Sequence, residues 1–282
     1  MRRSKKIALL VALILILFGI LVMTLGGTMM GFDFDKLDTA TYIERNETVE
    51  GFFTDIEIDC AASDVTVLPS PDGVCRVVSR LNQDVDYSVS VDNGKLKVQY
   101  GPFEWYRHLG IHFLKKVYIT VYLPEKQYQS LKLTLRSGDV SVRDLQIEKS
   151  EIETISGDVK VNDWNGDLLD IETTSGDVLV LNSNVRTLAA KTVSGDIEME
   201  DTLAKEKMTL SCTSGDIEFE RIDAKTMELE TTSGDIEGTL LSVKHFVADT
   251  TSGDIHIPDA DSSAGKCTAN TTSGDIDIRV AK

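Results

Sequence analysis

The tripeptide Ser-Gly-Asp occurs eight times in the last 146 residues of this 282-residue chain, with serines at 137, 156, 175, 194, 214, 233, 252 and 273. The steps between them are 19, 19, 19, 20, 19, 19 and 21 residues. A period that stays this close to 20 predicts a solenoid, each repeat forming one coil stacked on the next. Few other features of a sequence restrict its fold so tightly.

Aligning the coils on the tripeptide gives the local structure. After each Asp comes Val or Ile (Val140, Val159, Val178, Ile197, Ile217, Ile236, Ile255, Ile276), and two residues further Val142, Val161, Val180, Met199, Phe219, Gly238, Ile257 and Ile278. Four residues before each Ser stand Leu133, Ile152, Ile171, Ala190, Leu210, Leu229, Ala248 and Ala269. Apolar and polar residues alternate on both sides of the motif, which is the period of strands with one buried face and not the period of helices. The expected fold class is therefore all-β: a single-stranded β-solenoid, or β-helix, with coils of about 19 residues. Ser-Gly-Asp breaks the alternation and reads as a corner, where Gly accepts positive φ and Ser and Asp bond nearby backbone groups. Thr154, Thr173, Thr192, Thr231, Thr250 and Thr271 share the phase of the buried residues two places before Ser. They are expected to form an inward ladder with hydroxyls bonded coil to coil.

Coils stacked about 4.8 Å apart align the corner aspartates, and neighbouring charges at that spacing repel by about 0.9 kcal/mol in water. The first expectation is that each Asp accepts backbone N–H bonds within its own corner. The functional alternative is a cation column of Asp158, Asp177, Asp196, Asp216, Asp235 and Asp254. A calcium ion takes six to eight oxygens, whereas each coil supplies one Asp. A second acidic pattern is visible: Glu198, Glu218 and Glu237 share one repeat position, and Glu200 and Glu220 another. These rows read either as a solvated face or as a docking surface for a basic partner or envelope cations.

Arg2, Arg3, Lys5 and Lys6 precede an uncharged run from Ile7 to Leu25. Nineteen residues reach about 28 Å as a helix, enough to cross a bilayer, and the basic flank places the N-terminus in the cytoplasm. The run exceeds the usual length of a signal-peptide core. The expected organisation is a basic cytoplasmic N-terminus (1–6), a transmembrane anchor (7–27), a stalk (28–51), irregular β coils forming a cap (52–130) and the regular Ser-Gly-Asp solenoid (131–282). The protein is thus expected at the cell membrane as a single-pass chain, its bulk extracytoplasmic. All 46 acidic residues and all but four of the 29 basic ones follow the anchor, so the exported part is more acidic than the formal −17 of the whole. That charge argues against nucleic-acid partners, which call for a basic face.

Within residues 52–130 the chain shows alternating runs around Ile56, Val65, Val77, Val89 and Val98, broken by Pro69-Ser70-Pro71-Asp72-Gly73 and by Asp92-Asn93-Gly94. The Asn-Gly is a hairpin signal. Ser63-Asp64-Val65 reads as a degenerate copy of the corner. Phe103, Trp105, Tyr106, His108, His112 and Phe113 crowd into eleven residues and read as a hydrophobic plug over one end; no third ligand accompanies the two histidines. Cys60 and Cys75 are candidates for a disulfide across a strand connection in an oxidising compartment. Cys212 and Cys267, counted as three coils apart, are expected to be buried free thiols. No catalytic constellation, cofactor motif or metal-like cysteine spacing is present.

Ser-Asp-Val-x-Val at 63–67, Val-Tyr-Leu-Pro-Glu at 121–125 and the Thr-Thr-Ser-Gly-Asp-Ile repeats resemble a bacterial family of unknown function whose members are described as adhesins. The resemblance implies β-solenoids of the cell envelope, often behind an N-terminal membrane segment, with a structural or binding role and no catalytic residues. The expected function is accordingly a non-enzymatic, membrane-anchored envelope protein whose solenoid binds an envelope protein or polymer. An accessory role in envelope-stress signalling is the alternative. A polysaccharide-active β-helix enzyme fits less well, because coils of nearly constant length leave no long loops to wall a cleft. The last strand (Ile276, Ile278, Val280) is expected to leave an open edge at residues 269–282, either self-associating tail to tail or capped by a different protein.

Overall fold

The computed structural model describes residues 41–101, 116–259 and 264–281. They form 22 strands and, among the described residues, no helix. In chain order these are β1 (Tyr42–Thr48), β2 (Asp55–Ala62), β3 (Asp64–Pro69), β4 (Arg76–Asn82), β5 (Tyr87–Asp92), β6 (Lys95–Tyr100), β7 (Tyr118–Leu123), β8 (Gln127–Ser137), β9 (Val140–Arg143), β10 (Gln146–Ser156) and β11 (Val159–Asn162). Then follow β12 (Leu168–Ser175), β13 (Val178–Leu181), β14 (Asn184–Lys191), β15 (Ile197–Glu200), β16 (Leu203–Ser211), β17 (Ile217–Glu230), β18 (Ile236–Leu240), β19 (His245–Ser252), β20 (Ile255–His256), β21 (Lys266–Ser273) and β22 (Ile276–Val280).

Each regular coil places one strand before the corner and one after it, so the coils build two parallel sheets. The back sheet runs β6-β2-β8-β10-β12-β14-β16-β17-β21-β19, with β5 antiparallel outside β6. The front sheet runs β7-β3-β9-β11-β13-β15-β17-β18-β22-β20, with β4 and then β1 antiparallel outside β7. β17 is long enough to serve both. The predicted apolar positions fill the space between the sheets: Leu133, Val140, Val142, Ile152, Val159, Val161, Ile197 and Met199 are all buried. Trp164 is fully buried among them and donates its indole N–H to Ser150 Oγ at 3.1 Å.

The corners follow the expectation in place and differ from it in bonding. Gly195 has φ +146°, and a Cβ there would lie 2.2 Å from the carbonyl oxygen of Gly176 on the neighbouring coil. Glycine is required both by the backbone angle and by this approach. The aspartates do not cap their own corners. Each Oδ1 instead accepts the backbone N–H of the Asp one coil along: Asp139 to Asp64 at 3.1 Å, Asp177 to Asp158 at 2.9 Å, Asp216 to Asp196 at 2.8 Å. The like-charged column is thereby held by charge-assisted bonds running along the stack. Threonine hydroxyls likewise reach the next coil's glycine carbonyl rather than another threonine, as in Thr192 to Gly176 (3.1 Å) and Thr231 to Gly215 (3.0 Å). Buried Thr154 finds no such partner. Ser63 occupies the glycine place of the first corner, confirming the degenerate copy.

A second column of corners, returning the chain from front to back, consists of Asp144, Asp163, Asn182, Asp201 and Arg221, all with φ between 48° and 55°. Asp and Asn tolerate this left-handed conformation better than most residues.

Coil order is where sequence and space part. β2–β3 lie between β6–β7 and β8–β9, although they precede both in the chain. At the other end β21–β22 sit between β17–β18 and β19–β20. The final strand is therefore enclosed, paired to β18 along its length and to β20 at Ile276 and Asp277. This overturns the expected open edge at residues 269–282. Cys212 and Cys267 are consequently two coils apart and not three. All four cysteines are buried free thiols, so Cys60 and Cys75 are not paired. Burial pushes the Cys60 thiol up to about 12 and that of Cys75 to about 11.

Within the expected stalk, Tyr42–Thr48 form β1. Its alternation around Ile43, Arg45 and Glu47 pairs it with β4 and packs Arg45 over Tyr87. The expected anchor (7–27) and the aromatic segment with His108 and His112 lie outside the described residues. Among the described residues no helix is long and apolar enough to cross a membrane.

Candidate functional site: an acidic groove on the front sheet

Strand register converts the glutamate pattern into geometry. Glu198, Glu218 and Glu237 are direct neighbours on β15, β17 and β18, and the interleaved last coil adds Asp277 beside Glu237. Glu200 and Glu220 are paired in the same way one row over. These side chains point outward because the residues alternating with them, Ile197, Met199, Ile217 and Phe219, fill the core.

Between the rows lies a shallow groove of about 340 Å³, lined by both rows together with Gly238, Thr239 and Arg279. Gly238 lies on the floor of the groove, beside Phe219 of the neighbouring coil. A Cβ at Gly238 would lie 2.1 Å from the carbonyl oxygen of Phe219 and 2.4 Å from its ring. Phe219 thus occupies the volume that a side chain on the next coil would need.

Charge is compensated unevenly across the groove. Arg221, at the second corner, bonds Asp201 through Nε and Nη2 (both 2.6 Å), bonds Glu200 through Nη2 (2.8 Å) and also pairs with Glu220. It holds the Asp201 carboxyl below the usual carboxylate range. Asp277 is paired with Arg279. Glu198, Glu218 and Glu237 have no ion-pair partner among the described residues. Partial burial, then the charges of Glu198, Asp216, Asp196 and Glu237, raise the Glu218 carboxyl above its ordinary value. The result is a strip of unpaired carboxylates on a rigid ladder, suited chemically to cationic groups.

All five glutamates singled out by the repeat therefore come together. Asp277, Arg279 and Arg221 escaped notice. Asp277 and Arg279 reach the groove only through the interleaving of the last coil. Arg221 did leave a signal, since it stands five residues after the corner Asp, where the four preceding coils carry Asp144, Asp163, Asn182 and Asp201.

The proposed cation column takes a different form. Asp158, Asp177, Asp196, Asp216 and Asp235 each have one oxygen engaged by the next coil's N–H, and Asp254 stands at the end of the column, beyond Asp275. Among the described residues no three His, Cys, Asp or Glu side chains converge as a metal site would require.

The family model described as Toastrack DUF4097 matches residues 53–207 and again 182–282. The chain belongs to the Toastrack family. Solved structures are similar to the chain at low identity. A proposed lipid binding protein from Parabacteroides distasonis is 16% identical, with 85% of this chain and 97% of that one covered, at a TM-score of 0.52. A proposed adhesin from Bacteroides fragilis is 15% identical over 86% of this chain and 97% of its own, with a TM-score of 0.45. At such identity the likeness to the Parabacteroides protein speaks to the fold alone. No protein of curated function matches the chain at the sequence level.

Proposed function

We propose that this Toastrack chain is a non-enzymatic envelope protein, anchored through residues 7–27, whose front sheet offers an acidic groove to a cationic partner outside the cytoplasm. The observation that carries the reading is the row Glu198, Glu218 and Glu237, left without counter-charge on adjoining strands while Arg221 and Arg279 serve its flanks. Carboxylates side by side on one ladder suit multivalent binding. A glycosidase pair instead faces its substrate from opposite sides of the bond to be cut. The lipid binding proposed for the Parabacteroides neighbour finds no counterpart in a groove walled by carboxylates.

A short oligolysine peptide is a suitable probe. Binding to the full chain at low salt is expected to weaken about tenfold on combining Glu198→Gln, Glu218→Gln and Glu237→Gln, three charges each contributing a few tenths of a kcal/mol. The same number of changes on the back sheet, at Glu151, Glu153 and Glu172, should leave it nearly unchanged. Equal losses for both sets would mean that net charge, and not the groove, attracts the peptide.

A further inference from the structure

The repeat gives every coil the same inward residue immediately after the corner Asp. In seven coils it is closed off: Val140, Val159, Val178, Ile197, Ile217, Ile236 and Ile276 are at most 1% exposed. In the eighth, Ile255 is 40% exposed, and Ile257 two places on is 37% exposed. Position in the stack accounts for the contrast. The β19–β20 coil has β21–β22 on one side and no described strand on the other. Leu241, Val243 and Val247 join it, so five of the ten exposed large apolar side chains among the described residues belong to this one stretch.

We propose that this end is covered by the same end of a second copy of the chain. Two edges are open here at once, β19 on the back sheet and β20 on the front, about 10 Å apart. A single extended peptide satisfies one of them. A second copy, related by a two-fold axis perpendicular to the sheets, offers both, pairing β19 with β19 and β20 with β20 antiparallel. The inward row of Phe246, Ile255 and Ile257 then continues into its counterpart.

Charge points to the same occupant. A chain of formal charge −17 repels its own copies over most of its surface. Residues 241–258 hold three charged side chains besides two histidines, and no glutamate follows Glu237. One of the three, Lys244, is buried and already paired with Asp223. Apart from the Asp249 carboxylates that such pairing brings together and Asp259 just beyond, two copies meet at this end against little repulsion.

Cysteine cross-linking of the full chain in its membrane tests the arrangement independently of the groove. Asp249 lies near the middle of β19, and the four native cysteines are buried. Under mild oxidation Asp249→Cys should give an adduct of twice the chain mass, while Glu153→Cys in the middle of the back sheet gives none. Adding Ile255→Lys and Ile257→Lys should abolish the adduct. Val247→Lys, on the outer face of the same coil, should weaken it and serves if the double change impairs folding. No adduct from folded Asp249→Cys overturns the proposal, whether the thiol labels freely or is shielded by another part of its own chain. An adduct of any other mass overturns it too, since a different protein then covers the end. Glu198→Gln with Glu218→Gln should leave the adduct intact.

Discussion

At the N-terminal end of the stack, β4 and β1 lie antiparallel beyond β7, and β5 lies antiparallel beyond β6, so both sheets are extended past the last parallel coil. The C-terminal end has nothing comparable: β19 and the two-residue β20 are the outermost strands described. Inward residues differ in the same sense. On β1 and β5 they include Arg45 and Tyr87, the guanidinium 4.8 Å from the ring centroid, whereas on the last coil they include Phe246, Ile255 and Ile257. A charged group directed inward on an edge strand discourages further strand addition, and an apolar row invites it. The two ends teach that a parallel coil can be ended by reversing strand direction and changing the chemistry of its inner face. Among the described residues only one end of the stack does so.

The sharpest way to break this comparison is through the corner glycines. Gly195→Val should destabilise the fold by about 4 kcal/mol or more, because positive φ and a backbone carbonyl both oppose the new side chain. Gly274→Val should be equally severe, since a Cβ there meets the Gly234 oxygen at 2.0 Å and the β19–β20 coil covers the other side. Gly253→Val meets the Gly274 oxygen at the same distance, yet it should cost roughly half as much, because the terminal coil can lift away from one neighbour alone. Urea unfolding measures all three. A mild Gly274 and a severe Gly253 would show that the coils stack in chain order.

Core truncations come next. Leu81→Ala, on β4 of the antiparallel cap, should cost about 2–5 kcal/mol, whereas Ile255→Ala in the monomer should cost about 1 kcal/mol or less. Comparable losses would mean that the last coil is as well covered as the first. A kinetic comparison is gentler. Cys60 and Cys267 are both fully buried, but opening the terminal coil alone uncovers Cys267, which pairs with Phe246 of β19. Native-state thiol labelling should therefore modify Cys267 well before Cys60; the reverse order would place the weaker end at the cap.

The smallest effect is electrostatic and should have opposite signs in the two regions. The hydrogen bond from Lys95 holds the Glu57 carboxyl below its ordinary value, against the opposing influence of burial. Glu57 thus contributes stability above the unfolded carboxyl pKa, about 4.3, and loses it as pH falls through the lower folded value. Glu218 is raised, so its contribution is fully present below the unfolded value and is lost as pH rises through the folded one. Glu57→Gln should lower Tm at neutral pH, Glu218→Gln should raise it, and both differences should shrink as the carboxyls protonate in acid. A loss from Glu218→Gln at neutral pH would mean that the row is already compensated.

Much of this molecule was legible in its sequence, for reasons that can be stated. Val140, Val159, Ile197 and their equivalents recur because each must fill the same space between the sheets, so period and phase gave strands, corners and the buried face together. The glutamate rows were readable because register follows the same period. Coil order was not, because Ser252-Gly253-Asp254 and Ser273-Gly274-Asp275 are locally identical and fit the column in either order. The 21-residue step between them was the largest departure from 19, and length alone does not show where a loop crosses. Asp277 reaching Glu237, and the exposure of Ile255, both depend on that crossing. β1 was missed because its inward residues include Arg45 and Glu47, which mask the alternation.

The interleaved last coil also governs when the fold becomes complete. The Asp275 N–H bonds Asp235 Oδ1 across 40 residues of chain, where the regular corners span 19 or 20. Doubling a loop adds only about 0.6 kcal/mol of closure entropy, so the thermodynamic penalty is slight. Its consequence lies in timing. For a chain emerging N-terminus first, the strands from β2 to β18 can add each coil as it appears. The β19–β20 coil has no permanent neighbour until residues 266–280 arrive and slide in beside β17 and β18. Residues 266–280, made after the coil they hold in place, are thus the ones that lock the structure, and a chain cut short before them cannot acquire its native order of coils.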